Sequence, residues 1–262
     1  MNKAAPRMSK AALCAIAVMA KAPRPGHVKT RLQSILQPEE AARLGAAFLQ
    51  DITANLHEAA QQAPIAPFVA YAPLGQEARF DALLAPGTEL VLADGTEGDA
   101  PGVEGFGRVL LHATRALLGR GYGAACVLNA DSPTLPTALL AQAARRLLAP
   151  GPRALLGPAN DGGYWLLGLQ TPETRLYARI AWSTDQACAQ TQARAAEAGL
   201  PLELLDTWYD VDDRAGLQRL VSELSGPQSA RPGPLTPYRA ASTAACLAAL
   251  GIAGRLHAAP AA

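Results

Sequence analysis

The stretch Leu13-Cys14-Ala15-Ile16-Ala17-Val18-Met19, continued without a break by Ala20-Lys21-Ala22-Pro23-Arg24-Pro25-Gly26-His27-Val28-Lys29-Thr30-Arg31-Leu32, decides how the whole chain is read. Seven apolar residues with β-branched members predict a strand buried on both faces, the signature of a parallel sheet. A turn then carries several cations and meets no acid before Glu39. In an open α/β sheet the ligand crevice lies beyond the carboxyl ends of the strands, so this turn is placed where a ligand binds. Lys29 offers a compact charge and Arg31 a planar fork, and both suit phosphate oxygens. The order of residues matches neither the Walker A loop nor the dinucleotide fingerprint. The segment therefore predicts a phosphate-binding turn made of Ala20, Lys21, Pro23, Gly26, Lys29, Thr30 and Arg31.

Beyond it, apolar runs alternate with amphipathic ones. Strands are expected at 13–19, 67–71, 89–93, 124–129, 153–157, 164–169 and 202–205. Helices are expected at 39–60, 76–84, 106–118, 137–148, 184–198 and 213–224. In 39–60, Leu44, Phe48, Ile52 and Leu56 recur every fourth residue, and Glu39 and Glu40 suit the positive end of a helix. The alternation predicts an α/β fold with a mostly parallel central sheet flanked by helices. Residues 11–224 form this domain in the reading. Residues 225–238, rich in Pro and Gly, have linker composition, and 239–262 form a helical extension that docks on the domain or on a partner chain, as in a homodimer. Truncation at Ser225 is then expected to leave a folded domain.

Composition narrows the function. The 262 residues are half hydrophobic, and 23 basic against 22 acidic residues leave a net charge of +1. Such a balance gives no bulk grip on nucleic acid or anionic lipid. The four cysteines are scattered, without metal-ligand spacing or a disulfide framework. No apolar stretch of about 20 residues is present, so no membrane span is predicted. The N-terminus superficially resembles a secretory signal. Cleavage there would remove the first strand, so the chain is read as cytoplasmic.

Three further segments carry candidate chemistry. Asn129-Ala130-Asp131-Ser132-Pro133 places a carboxylate at the end of a buried strand, where burial is costly without a cation or donor. Asp131 is read as a ligand for a divalent metal bridging phosphates, with helix capping as the structural alternative. In Asn160-Asp161-Gly162-Gly163-Tyr164-Trp165 the glycines allow close backbone approach, the aromatics suit a sugar or base, and Asp161 suits a general base. A plain hairpin turn is the alternative there. In Tyr209-Asp210-Val211-Asp212-Asp213 alternation places Asp210 and Asp212 on one face as further metal ligands, while Asp212 or Asp213 caps the next helix. Trp182, before a Ser183-Thr184 helix cap, is read as a wall of the acceptor pocket.

Together MAKAPRPGHVKTRL (19–32), NADSPTLP (129–136), GPANDGGYWLLGL (157–169), IAWST (180–184) and YDVDD (209–213) resemble the DUF2064 family over about 13–224. The resemblance implies a Rossmann-like GT-A fold and glycosyl transfer from a nucleotide-sugar donor to a small-molecule acceptor, with Mg2+ or Mn2+. A more distant resemblance, to the guanylyltransferases of molybdenum cofactor and phospholactate metabolism, implies the alternative of nucleotidyl transfer with pyrophosphate release. By either likeness Lys21, Lys29 and Arg31 meet the phosphates, Asp131 holds the metal, and the Asp161–Tyr164 turn faces the donor sugar or the acceptor. The chain departs from the family at Val103-Glu104-Gly105-Phe106-Gly107-Arg108, where members often carry an aspartate, and in its extension beyond Ser225. Base, sugar, acceptor and stereochemical outcome are not encoded in any motif.

Overall fold

The computed structural model describes residues 8–226 and 235–257. Among these, seven strands form one sheet: β1 (Cys14–Lys21), β2 (Ile65–Ala72), β3 (Glu89–Leu92), β4 (Ala124–Leu128), β5 (Ala154–Pro158), β6 (Tyr164–Leu169) and β7 (Leu202–Leu204). Their order is β3-β2-β1-β4-β6-β5-β7. Neighbours are parallel except around β6, which runs antiparallel to both β4 and β5. The helices are α1 (Pro38–Ala60), α2 (Phe106–Gly119), α3 (Thr137–Leu148), α4 (Ala187–Glu197), α5 (Arg214–Ser225), α6 (Ala241–Ala249) and α7 (Ile252–His257).

The seven-residue run that opened the sequence is the heart of the sheet. Residues 14–18 are wholly buried, and they alternate between two cores. Cys14, Ile16 and Val18 join Leu44, Phe48, Leu139 and Leu217 on the face covered by α1, α3 and α5. Ala15 and Ala17 join Leu110, Leu111 and Ala195 under α2 and α4. A strand flanked on both faces has no polar side, which is why it reads as continuous hydrophobicity rather than alternation. The start of α1 is fixed by Glu40, whose carboxylate accepts the Gln37 N–H at 2.8 Å. The segment expected to be helical at 76–84 is only a short 3-10 turn at Glu77–Arg79.

The chain leaves β1 over one face through α1 and enters β4 from the other through α2. The carboxyl ends of these adjacent strands therefore diverge into a crevice, the topological switch point where α/β sheets place ligands. No helix among the described residues is long and apolar enough to cross a membrane.

The C-terminal helices pack against this frame. Leu247, Ile252 and Leu256 are buried in the same core as Ile16 and Leu44. Asp51 of α1, itself buried, accepts the Ser242 and Thr243 N–H groups at 3.0 and 2.6 Å and so satisfies the first turn of α6. Arg255 of α7 pairs with Glu40 and donates to the Ile35 carbonyl. Most of the Pro- and Gly-rich stretch read as a linker, residues 227–234, lies outside the described residues. The two helices beyond that stretch belong to the core of the domain.

Candidate active site

The crevice at the ends of β1 and β4 is a cleft of about 660 Å3. Ala20, Lys21, Pro23, Lys29, Thr30 and Arg31 of the basic turn line it, together with His27. Asp131 and Asp212 line the same cleft, so three of the segments singled out in the sequence meet in space. Gly26 does not reach the wall. Its φ is +76°, the left-handed backbone that the turn requires and that favours glycine.

Lys29 ties these segments together. Its backbone is left-handed, with φ of 51°, a cost of order 1–3 kcal/mol that non-glycine residues bear mainly at functional sites. The side chain is only 6% exposed and crosses the Phe48 ring at 4.6 Å. Its ammonium pairs closely with Asp131, donates to the Val211 carbonyl at 2.9 Å, and lies 3.7 Å from Asp212. The Val211 N–H in turn donates to the Asp131 carbonyl at 2.9 Å. Arg31, 60% exposed, reaches the other oxygen of Asp212 at 3.4 Å. One cation thus joins the loops after β1 and β4 to the segment before α5.

The acids around it repel one another. Burial, and then the nearby carboxylates of Asp161, Asp212 and Asp131, push Asp210 up to about 6. Asp212 is raised by burial and by Asp131, against the lowering pull of Lys29 and Arg31. Such mutual raising marks a place where an added cation is favoured. The three-carboxylate set expected for a metal is nevertheless not formed. Among the described residues no three metal-ligating side chains converge, and Asp210 stands outside the cleft wall. Asp131 and Asp212 remain, one on each side of the Lys29 ammonium. Two carboxylates suit Mg2+ or Mn2+, because such ions are held by one or two carboxylates with substrate phosphates and water completing the shell. Capping does not account for these two acids. Asp213 caps α5 by accepting the Gly216 N–H at 2.8 Å, and α3 starts after Pro136 without a side-chain cap.

The Asn160–Trp165 segment differs from expectation. It is the hairpin between β5 and β6, and its glycines face protein. A side chain on Gly162, with φ of +86°, would meet the Asp185 carbonyl oxygen at 2.2 Å, and the Gly162 carbonyl accepts the Cys188 N–H of α4 at 2.9 Å. A side chain on Gly163 would press on Asp161 itself at 3.1 Å. Trp165 is fully buried and donates to the Asp206 carbonyl at 3.2 Å, so it cannot wall a ligand pocket. Tyr164 stands behind Trp182, with ring centroids 6.2 Å apart, and neither ring lines the cleft. Asp161 is exposed, accepts the Gly163 N–H at 2.8 Å, and is felt electrostatically by Asp210 and Asp212. The Thr184 hydroxyl donates to the Ala181 carbonyl at 2.7 Å and accepts the Gln186 N–H at 3.2 Å, so it holds the turn leading into α4, whose N-cap position is Gln186.

Of the wall residues that the sequence reading missed, three bear on chemistry. Phe106 lies in the stretch where the chain departs from its resemblance. It is 47% exposed in the cleft and meets Trp182 edge-on at 5.9 Å. Ser183, beside Trp182, is left-handed with φ of 62°. Asp94 follows β3, a part-buried edge strand, and the signal that would have found it is akin to the one that singled out Asp131: a carboxylate just beyond a strand.

Comparison with known proteins now bears on this geometry. Residues 55–184 match the family described as "Uncharacterized protein conserved in bacteria (DUF2064)". The chain belongs to the DUF2064 family. The matched segment holds Asp94, Phe106, Asp131 and the β5–β6 hairpin. The crystal structure of a candidate nucleotide-diphospho-sugar transferase from Desulfovibrio desulfuricans G20 aligns with a TM-score of 0.74 at 25% identity, over 95% of this chain and 97% of that one. CMP:2-keto-3-deoxy-manno-octonic acid synthetase complexed with CTP aligns at 0.48 and 13% identity, over 79% and 96% of the two chains. A Mycobacterium tuberculosis H37Rv protein in complex with manganese aligns at 0.41 and 16%, over 80% and 98%. No curated protein has a matching sequence. The fold is therefore the nucleotide-diphospho-sugar transferase type of α/β sheet.

Proposed function

We propose that this DUF2064 protein is a cytoplasmic transferase that binds a nucleotide diphosphate compound in the β1/β4 cleft and passes its glycosyl group to a small-molecule acceptor. The observation that carries the reading is the convergence of Lys21, Lys29 and Arg31 with Asp131 and Asp212 on one cleft. The cations hold the diphosphate. Asp131 and Asp212 hold Mg2+ or Mn2+, which when bound neutralises charge on the departing diphosphate. The acceptor oxygen bonds to the anomeric carbon as the bond to the diphosphate breaks, and Asp161, exposed outside the cleft wall but within electrostatic reach of Asp212, takes the acceptor proton.

Nucleotidyl transfer is the second reading, and one observation favours it. The turn expected to cradle a sugar has Gly162 packed on the segment leading into α4 and Trp165 in the core, while the basic wall suits a triphosphate. Thermal melting in Mn2+ or Mg2+ separates the two, because a ligand that binds only the folded state stabilises it by RT ln(1 + [L]/Kd). Nucleotide diphosphates and nucleotide sugars are expected to raise Tm more than triphosphates. Triphosphates ranking first, with pyrophosphate released on adding a phosphorylated acceptor, would replace glycosyl by nucleotidyl transfer.

Arg31→Ala gives a cleaner test of the phosphate assignment than Lys29→Ala, because the exposed Arg31 has little structural duty and Lys29 is the joint of three loops. Each is expected to weaken a diphosphate by about 1.5–3 kcal/mol, the worth of a charge-assisted contact, and the bare nucleoside much less. Equal losses for both ligands would move these residues away from the phosphates.

A further inference from the structure

The cleft has a second end with different chemistry. Next to Lys21, whose strand position pairs with Ala72, it is walled by Ala70, Ala72 and Ala93 at the ends of β2 and β3, and by Val109 and Phe106 of α2. Alanine leaves the strand ends nearly bare, so the slot between sheet and helix is apolar and shallow-walled, with an exposed aromatic ring on one side. This shape suits a flat heteroaromatic ring.

One carboxylate, Asp94, stands at that end, and it is fixed. Its Oδ1 accepts the Thr96 N–H at 3.0 Å and the Thr96 hydroxyl at 2.7 Å, and lies 3.4 Å from His112 Nδ1. The buried His112 in turn meets the Gly95 N–H at 3.3 Å, which steadies the turn. Oδ2 makes no hydrogen bond to any described residue. The Thr96 hydrogen bonds also hold the carboxyl below its usual range, so at neutral pH it is ionised and can only accept.

An acceptor-only group at the rim of a flat apolar slot selects among bases by their donors. Guanine presents two adjacent donors, N1–H and N2–H, on one edge. Uracil has a single N–H between two carbonyl oxygens, which a carboxylate repels. Adenine and cytosine each set an amino group beside a ring nitrogen that accepts. We propose that Asp94 reads the base of the bound nucleotide and selects guanine, with Phe106 covering the ring. This inference rests on the nucleotide reading of the cleft proposed above.

Calorimetric titration of the full chain with GDP, IDP, ADP, CDP and UDP in Mn2+ tests it. GDP is expected to bind tenfold or more tightly than ADP, CDP and UDP, the usual scale for a bidentate base contact, and more tightly than IDP, which lacks the 2-amino donor. Asp94→Asn keeps an oxygen for Thr96 but offers an N–H to the ligand. It should weaken GDP about tenfold and strengthen xanthosine diphosphate, whose 2-oxo group accepts where guanine donates. A flat wild-type panel, another base ranking first, or an unchanged ranking in Asp94→Asn overturns the base reader and leaves the nucleotide reading standing. Absence of binding by all five diphosphates overturns both.

Discussion

Asp131→Ala is expected to abolish the Mn2+-dependent part of nucleotide diphosphate binding, and Asp131→Asn to do the same while keeping wild-type stability. The two variants are needed because Asp131 has two partners to serve. It lies just past β4 in the cleft wall, where a metal and a diphosphate would meet, and it is also the close partner of the nearly buried Lys29 ammonium. Removing one member of a buried ion pair costs about 3–5 kcal/mol, because the other charge is stranded. Asp131 is 36% exposed, Lys29 keeps the Val211 carbonyl at 2.9 Å, and Asp212 stands at 3.7 Å, so the alanine variant should lose less than that. Asparagine retains an oxygen for Lys29 but no charge for a divalent ion. Calorimetry of a diphosphate with and without Mn2+, beside thermal melting, separates the effects. If Mn2+ strengthens binding equally in wild type and Asp131→Asn, the ion does not sit on Asp131.

What could be read from residues alone was whatever depends on neighbours in the chain. An apolar run followed by cations announces a buried strand and a basic turn at its end, and β1 is such a strand, with the Lys21–Arg31 turn lining the cleft. Strand-end carboxylates are equally local, though the same pattern at Asp94 drew no notice beside Asp131. Contacts made across the sheet were not legible. The Gly162 backbone approaches Asp185, more than twenty residues away in the chain, so glycine chosen for packing looks the same as glycine chosen for a ligand. Trp165 fills the hollow left by Gly157 on the neighbouring strand, where a side chain would come within 2.2 Å of the indole, and nothing in Tyr164-Trp165 says which ring turns inward. Alternating carboxylates in Tyr209–Asp213 did not announce their division: Asp212 lines the cleft, Asp210 is not part of its wall, and Asp213 caps the helix.

Deleting everything after Gly226 is expected to cost the protein much of its stability, against the plain reading of the Pro- and Gly-rich stretch as a domain boundary. Composition of that kind shows where regular structure stops, and says nothing about whether the next element is needed. Leu247, Ile252 and Leu256 are 6%, 0% and 6% exposed within the main core. Burying one such side chain is worth about 1.5–3 kcal/mol, and three together amount to a large part of the roughly 5–15 kcal/mol by which domains are stable. The loss also reaches the cleft, because Arg255 holds Glu40 and the Ile35 carbonyl, at the point where the basic turn enters α1. Arg255→Ala isolates that second effect, as it removes the brace and leaves the apolar cover. The truncated chain should melt at least about 10 °C below the full one or be insoluble, since each kcal/mol lost shifts Tm by roughly 2–4 °C at this size. Arg255→Ala, by contrast, should fold and bind diphosphate more weakly. A soluble truncated chain with the wild-type melting temperature and diphosphate affinity would show that α6 and α7 only lie on a domain complete without them.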